Sequence, residues 1–180
     1  MARHGEVPVL ETERLRLRGF RPADLDEYAA IHADIRVQAS MSDGAVWDRG
    51  RSWRHLAFVM GHWDLAGVGL WAVETKAGDF VGKIGFWCPE GWPGLELAWA
   101  LAYRSWGKGY ATEGARAALR FAFEEAGQDR IISLIRPGNE RSVRVAERLG
   151  ECREGMAQVF GLDYMKYGID RSGYLSLWAA

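Results

Sequence analysis

The stretch from Leu95 to Ala126, LELAWALAYRSWGKGYATEGARAALRFAFEEA, leaves a chain few choices. It opens with strict alternation. Leu95, Leu97, Trp99 and Leu101 fall on one face of a strand, and Glu96, Ala98, Ala100 and Ala102 fall on the other. One face is bulky. The other is a row of methyl groups with a single carboxylate, where a solvent-facing surface would carry several polar groups. Such a face leaves room for something to lie along it. Trp106-Gly107-Lys108-Gly109-Tyr110-Ala111-Thr112 follows, with glycines at alternate positions just where a helix begins. From Ala111 the spacing is helical: Ala111, Ala115, Ala118, Leu119, Ala122 and Phe123 share a stripe. A glycine turn feeding a helix N-terminus exposes unpaired N–H groups at the positive end of the dipole and lets a ligand approach the main chain. Two readings are open: an anion site, for which a phosphate is the natural occupant, or a tight strand-to-helix connection without a ligand. The spacing of a nucleotide P-loop is absent, and Thr112 stands where a dinucleotide fingerprint needs its third glycine.

The rest of the composition excludes several classes. The chain has 180 residues, about one domain, with 48% hydrophobic and 26% charged residues, which suits a globular protein. A net charge of -1 gives no electrostatic case for nucleic acid or membrane binding. No apolar run reaches membrane-spanning length and the N-terminus has no apolar signal core, so the expected location is cytoplasmic. Cys88 and Cys152 are too few for a disulfide scaffold and lack metal-ligand spacing, so no metal is expected. Nine tryptophans are more than a core needs and suggest an aromatic-lined cleft as well.

Residues 1–10 read as a loose leader. Glu11 to Phe20 alternates Leu15 and Leu17 with Arg14, Arg16 and Arg18, a half-buried strand with a solvated arginine face. A helix follows to about Asp34, then an irregular stretch, then a helix over 51–65 with His55 and His62 on roughly one face, read as surface or packing histidines. Val68 to Thr75 and Asp79 to Cys88 form a hairpin around Lys76-Ala77-Gly78. With the glutamate strand they make an antiparallel meander. Arg130 to Arg136 is a buried strand, and strand–helix–strand predicts a parallel βαβ crossover. A helix from Asn139 to Leu149 and two strands, 151–160 and 163–169, finish the fold, and the tail from Arg171 is unassigned. The expected architecture is a mixed α/β sheet of about seven strands with four or so helices.

Trp106-Gly-Lys-Gly-Tyr-Ala-Thr-Glu resembles the coenzyme A loop of the GNAT superfamily of N-acetyltransferases, whose turn reads Arg/Gln-x-x-Gly-x-Gly/Ala. Gly109 and Ala111 match its last positions and Trp106 stands where Arg or Gln is usual, as in the branch of the ribosomal-protein N-terminal acetyltransferases. Arg104-x-x-Gly107-x-Gly109 is an alternative register. Leu-Glu-Thr-Glu-Arg-Leu-x-Leu-Arg near the N-terminus resembles that branch's opening strand, and Pro137 to Gly150 its second coenzyme-binding segment. The resemblance implies a single N-acetyltransferase domain over 1–180 with the GNAT fold. It implies acetyl-CoA as co-substrate, held by Trp99, Ala100, Leu101, Trp106, Gly107, Lys108, Gly109, Tyr110, Ala111, Thr112, Asn139 and Ser142. The acceptor is then a primary amine, on a peptide N-terminus or a small molecule, and homodimers occur among such proteins. In that fold the early helices form one wall of the acceptor pocket, which makes Trp47, Trp53 and Trp63, with Trp87, candidates for shaping it; each alone is equally a core residue.

An amine of ordinary pKa near 10 must lose a proton before it attacks. Glu96 is the candidate general base, through a water, with burial raising its pKa towards neutrality. Its other reading is a structural or substrate-orienting carboxylate. Asn139 and Ser142 read equally as a helix cap and as groups near the thioester. Many GNAT enzymes carry a tyrosine seven residues after the asparagine to protonate the leaving thiolate. Here that position is Ala146, which leaves Ser142 as the candidate acid, with Tyr164 and Tyr167 behind it. A bulkier acyl-CoA such as succinyl-CoA, and a non-catalytic coenzyme A-binding sensor, are the alternative readings.

Overall fold

The alternating segments pair into one eight-stranded mixed sheet in the order β1-β2-β3-β4-β5-β6-β8-β7. The computed structural model describes residues 6–41 and 43–178. The expected meander is present as β3 (Leu70–Thr75), β4 (Phe80–Trp87) and β5 (Glu96–Leu101), each antiparallel to the next. Helix α4 (Tyr110–Arg120) then carries the chain to β6 (Arg130–Ile135), which lies parallel to β5. Helix α5 (Glu140–Arg148) and the hairpin β7 (Cys152–Val159) and β8 (Leu162–Asp170) complete the sheet.

The alternation in β5 decides which face is core. Leu97 and Leu101 join Ile84 and Phe86 of β4 against Ala115, Ala118 and Leu119 of α4 and Ala122 just beyond it. The small α4 residues bring the helix close: at Gly114 a Cβ would lie 2.5 Å from Ile84 Cδ1. Burying each large side chain here contributes roughly 1.5–3 kcal/mol. The opposite face is covered by α1 (Leu25–Ala33), α2 (Ile35–Gln38) and α3 (Arg49–Ala66). There Tyr28, Ile31, Val37 and Leu56 pack against Ala72, Phe80 and Ala102.

Four local expectations need correction. The strand read over 11–20 is two strands, β1 (Leu10–Glu11) and β2 (Leu15–Arg18), because Thr12 folds the chain back: its N–H donates to Leu15 O at 3.0 Å and its Oγ1 accepts from Leu15 N at 2.9 Å. Residues 1–5 of the leader lie outside the described residues, but Val7 packs on the core and Pro8 O accepts from Trp71 Nε1 at 2.7 Å, so that part is not loose. Arg18 is not on a solvated face. It is 7% exposed, forked onto both Asp24 oxygens at 2.8 Å and onto Glu74 at 2.7 Å, and two carboxylates offset its burial. The tail forms α6 (Arg171–Trp178), anchored where Tyr174 stacks on Phe123 at 4.9 Å and donates to Glu124 at 2.6 Å. Helices α2 and α6 and strand β1 account for the excess over the expected count.

Candidate active site

Strands β5 and β6 share one ladder position, Glu96 opposite Ile132, with Ile132 N–H donating to Leu95 O at 2.9 Å. Beyond it the strands part, and a cleft of about 1560 Å³ opens at the splay. The cleft runs from the glycine turn, past Glu96, to a group of aromatic side chains.

At one end is the turn. Gly107 and Gly109 have φ of 74° and 80°, the left-handed region that side chains disfavour. Gly109 caps α4, and the first hydrogen bond within the helix is Glu113 N–H to Gly109 O, which leaves the N–H groups of Tyr110, Ala111 and Thr112 without helical partners. Glu113, in the first turn, would compete with an anion for the dipole. Arg14 neutralises it, donating Nε to Oε2 at 2.7 Å and its own N–H to Oε1 at 2.8 Å, while Thr12 Oγ1 donates to Oε1 at 2.6 Å. Burial pushes the Glu113 carboxyl up, but these bonds outweigh it and hold it below its ordinary value. Arg14 also donates to Lys108 O at 2.9 Å, tying the turn to β2. Arg141, Arg144 and Arg148 of α5 line the cleft, with the Arg141 guanidinium 4.6 Å over the Trp106 ring of the turn, and Arg136 lines it from beside Tyr164, 5.7 Å over that ring. Arginine guanidinium groups and a helix N-terminus are both groups that attract phosphate.

Asn139 and Ser142 sit together at the start of α5. Asn139 Oδ1 accepts from Ser142 N–H at 3.2 Å, and its Nδ2 donates to Ser142 Oγ at 3.0 Å. Ser142 Oγ thus spends a lone pair on Asn139 and keeps its proton for another partner.

Glu96 sits at the vertex of the splay, 8% exposed. Its Oε2 accepts from Trp92 Nε1 at 2.8 Å, and the Leu134 amide across the gap also bonds it. Burial pushes its carboxyl up to about 8, against the pull of those two bonds and of Lys83. A second buried carboxylate, Glu151, lies behind. Ser133 Oγ is 3.0 Å from both Leu97 O and Glu151 Oε1, and Glu151 Oε2 has no hydrogen-bond partner among the described residues. Serine has one hydrogen for two acceptors, so a protonated Glu151 that donates to Ser133 is the arrangement without conflict. Burial pushes its carboxyl up to about 8 as well.

Lys83 shares the Glu96 face of the sheet and is buried. Its Nζ is 3.1 Å from Tyr28 Oη and 3.3 Å from His32 Nε2, and Tyr28 Oη is 2.6 Å from His55 Nδ1. Gln38 Nε2 contacts His32 O at 3.1 Å and His32 Nδ1 at 2.9 Å. The carbonyl fixes that amide atom as the NH₂, so His32 Nδ1 accepts and its proton is on Nε2. The Nε2–H then points at Lys83, and the neutral form of its amine accepts that hydrogen without conflict. Lys83 in turn donates to Tyr28, and Tyr28 to His55. Burial lowers Lys83 to about 7, opposed by the charge on Glu96, and burial also holds His32 and His55 well below the ordinary histidine value.

These shifts fix a pH dependence. Glu96 and Glu151 are raised in the fold, so their stabilising contribution is complete below about 4.5 and is lost as pH rises through about 8. His32 and His55 are lowered, so theirs is complete above the ordinary 6.5 and is lost as pH falls. Lys83 recovers only one proton's worth above 7. Chemical denaturation is expected to show stability falling between pH 6.5 and 8, with a shallower fall for Glu151→Gln; an unchanged slope in that variant would mean Glu151 is not protonated.

The sequence profile of the acetyltransferase (GNAT) domain matches residues 14–151. The chain belongs to the GNAT acetyltransferases. It is therefore an acyl-CoA-dependent N-acetyltransferase, in a family that transfers acetyl groups to amines. The uncharacterized N-acetyltransferase YnaD of Bacillus subtilis is 37% identical over 146 residues, 81% of this chain and 84% of that one. The uncharacterized protein YkkB of the same organism is 43% identical over 88 residues, 47% of this chain; the match spans only about half of YkkB, 51%. Among solved structures, an acetyltransferase from Agrobacterium tumefaciens is 30% identical with a TM-score of 0.82, covering 92% of this chain and 95% of that one. The ribosomal L7/L12 acetyltransferase RimL, solved with coenzyme A, has a TM-score of 0.77 at 15% identity over 92% of this chain and 99% of its own, a likeness of fold alone.

Within this GNAT fold, Glu96, Trp99, Ala100, Leu101, Trp106, Gly107, Gly109, Tyr110, Ala111, Thr112, Asn139 and Ser142 all line the cleft, as do Trp47, Trp87 and Tyr164. Lys108 does not; it contributes its carbonyl to Arg14. Trp53 and Trp63 also lie elsewhere. Trp53 is 58% exposed on α3, and Trp63 packs edge-on against Trp71 at 4.8 Å with its Nε1 on Leu70 O. Tyr167 and Ala146 are buried in the packing under α5. His62 is not a surface group: its Nδ1 meets Val68 O at 2.8 Å and its Nε2 accepts from Cys88 N–H at 3.1 Å, tying α3 to β4. His55 is half-buried in the cleft. Among the described residues no cluster of three metal-ligating side chains occurs, and no helix is long and apolar enough to cross a membrane. Lys83, Trp92, Arg14 and Glu151 were not singled out from sequence. A lone lysine inside FVGKIGFW was the available signal for the first.

Proposed function

We propose that the protein transfers the acetyl group of acetyl-CoA directly to a primary amine while both are bound. The position of Glu96 carries this reading: one buried carboxylate, at the vertex of the splay, between a phosphate-binding turn and an aromatic pocket. The free N–H groups of the turn and the α5 arginines suit the coenzyme's phosphates, and Asn139 suits its pantetheine arm. The N–H groups of Trp99 and Leu101, on the edge that β6 has left, suit the thioester oxygen, where stabilising developing charge is a large effect. Glu96 accepts the proton of the ammonium through a water. The amine nitrogen bonds to the carbonyl carbon, the C–S bond breaks as the nitrogen gives up its second proton, and Ser142 relays a proton to the departing sulfur, taking one up as it gives its own, so that the amide and the free thiol leave a neutral serine.

Neither Cys88 nor Cys152 lines the cleft, and burial raises the Cys88 thiol, which supports direct attack over an acetyl-cysteine route. Initial rates measured while varying both acetyl-CoA and amine are expected to give intersecting reciprocal lines. Parallel lines would mean a covalent acetyl-enzyme and would overturn direct transfer. Thiol release with acetyl-CoA against succinyl-CoA, in the same assay, tests the acyl preference. Coenzyme binding without turnover on any amine would favour a sensor.

A further inference from the structure

We propose that the acceptor is a primary amine carried by an aromatic or heteroaromatic ring and bearing no second positive charge. This rests on the reading of the cleft as an acetyl-transfer site and names what fills its far end.

The aromatic side chains of that end form a continuous wall. Trp47 meets His55 with ring centroids 4.9 Å apart, and His55 stacks on Trp87 at 5.4 Å and 19°. Trp87 meets Phe58 at 4.9 Å and, edge-on, Trp92 at 6.4 Å, and Trp92 reaches Phe160 at 5.9 Å. All six line the cleft. The wall is built around Glu96: Trp92 donates to its carboxylate, and Trp87 is its ladder partner across β4 and β5. An amine delivered to Glu96 therefore has its carrier against these rings. Flat rings pair favourably in stacked or edge-on geometry at such centroid distances, a gain an aliphatic chain does not share.

The end of the wall carries strain. Phe160, at the tip of the β7–β8 hairpin, has φ of 48°, and it is the only described residue other than glycine with positive φ. A bulky side chain in that region costs on the order of 1 kcal/mol or more, and Phe160 is also 89% exposed. Neither the turn nor the core gains from phenylalanine there. A ring held at the mouth of the cleft does gain, by closing over a flat acceptor.

Charge at this end argues against a polyamine. Lys83, Tyr28, His32 and His55 form the neutral chain described above. Arg51 lines the cleft and already lies 4.6 Å over the Trp47 ring, in the place a ligand cation would take. Asp43 is paired to Arg51 at 3.6 Å. Among the acidic residues that line the cleft, Glu96 is the one bonded to the aromatic wall, while Asp43 is held by Arg51 and Glu140 is exposed at the start of α5, away from the rings' hydrogen bonds.

The test compares kcat/KM for 2-phenylethylamine, tryptamine, the peptide Phe-Ala-Ala, hexylamine and spermidine with acetyl-CoA. The expected result is at least a tenfold advantage of the aromatic amines over hexylamine and spermidine. Phe160→Ala, at an exposed position, and Trp87→Leu are each expected to shrink that advantage several-fold through KM. The peptide arm distinguishes a protein N-terminus from a small molecule as the source of the ring. Equal use of hexylamine or spermidine, or an advantage that survives both substitutions, overturns the proposal. Calorimetric binding of 2-phenylethylamine against hexylamine needs no turnover. Ring-selective binding without acetylation would overturn the acetyl-transfer reading alone, and acetylation without ring preference would overturn this inference alone.

Discussion

Replacing Glu96 with glutamine is expected to lower kcat by about 10²–10³-fold, the usual worth of a positioned general base. The substitution keeps the shape and a hydrogen-bond acceptor for Trp92 Nε1, so the packing around the side chain is retained. Acetyl-CoA affinity, measured by calorimetry, is expected to stay within a few-fold, because the turn and α5 are untouched. The pH profile separates a base from an orienting carboxylate. With its carboxyl pushed up to about 8, chiefly by burial, Glu96 is mostly protonated at neutral pH, and only the ionised form accepts a proton. The rate of the wild-type protein should therefore climb with pH and level off above 8, and the residual rate of Glu96→Gln should lose that rise. Turnover unaltered in the variant would leave Glu96 an orienting group. The stability profile runs the opposite way in the same interval, since ionising Glu96 destabilises the fold. The site gains its base at the expense of the buried pocket that tunes it.

Features written in local periodicity were legible in the sequence. The alternation of Leu95 to Ala102 placed Leu97 and Leu101 in the core and Glu96 on the open face, and the 3.6-residue stripe from Ala111 placed α4 against the sheet. Features made by pairing distant segments were not. Arg14 and Glu113 are 99 residues apart and meet only because β2 runs past the α4 N-terminus. Arg18 resembled its exposed neighbours, and only the approach of Asp24 and Glu74 makes its burial tolerable. The α3 tryptophans show the limit of periodicity. Helical spacing marks residues that share a face but not which element that face meets, so Trp53 went to solvent and Trp63 to the Trp71 side, while Trp47, in the irregular stretch, reached the cleft. Lys83 was hidden by its setting, since one lysine in an apolar strand is ordinarily an edge residue, and its burial depends on Tyr28 and His32 from a helix fifty residues earlier.

Gly109→Val is expected to weaken coenzyme A binding by about 10²-fold, which corresponds to roughly 2–3 kcal/mol. The loss follows from geometry. At φ of 80° a β-branched residue is strained by on the order of 1–3 kcal/mol, and its Cβ would lie 3.3 Å from Arg14 Nη2. Relief requires the turn to rotate, which swings the N–H groups of Tyr110, Ala111 and Thr112 away from a common point, and their convergence is what makes a helix N-terminus an anion site. The same movement pushes on Arg14, which holds Glu113 out of competition with the phosphates. Strain alone would also destabilise the fold, so a matched control is needed. Gly127, at the exit of the long helix, has φ of 67°, and a Cβ there meets nothing within 4 Å. Gly127→Val carries the same kind of backbone cost outside the cleft. The two variants should lose similar amounts of thermal stability, and only Gly109→Val should lose coenzyme affinity in calorimetric titration. Equal affinity in both would reduce the turn to a strand-to-helix connection and move the coenzyme's phosphates to the α5 arginines alone.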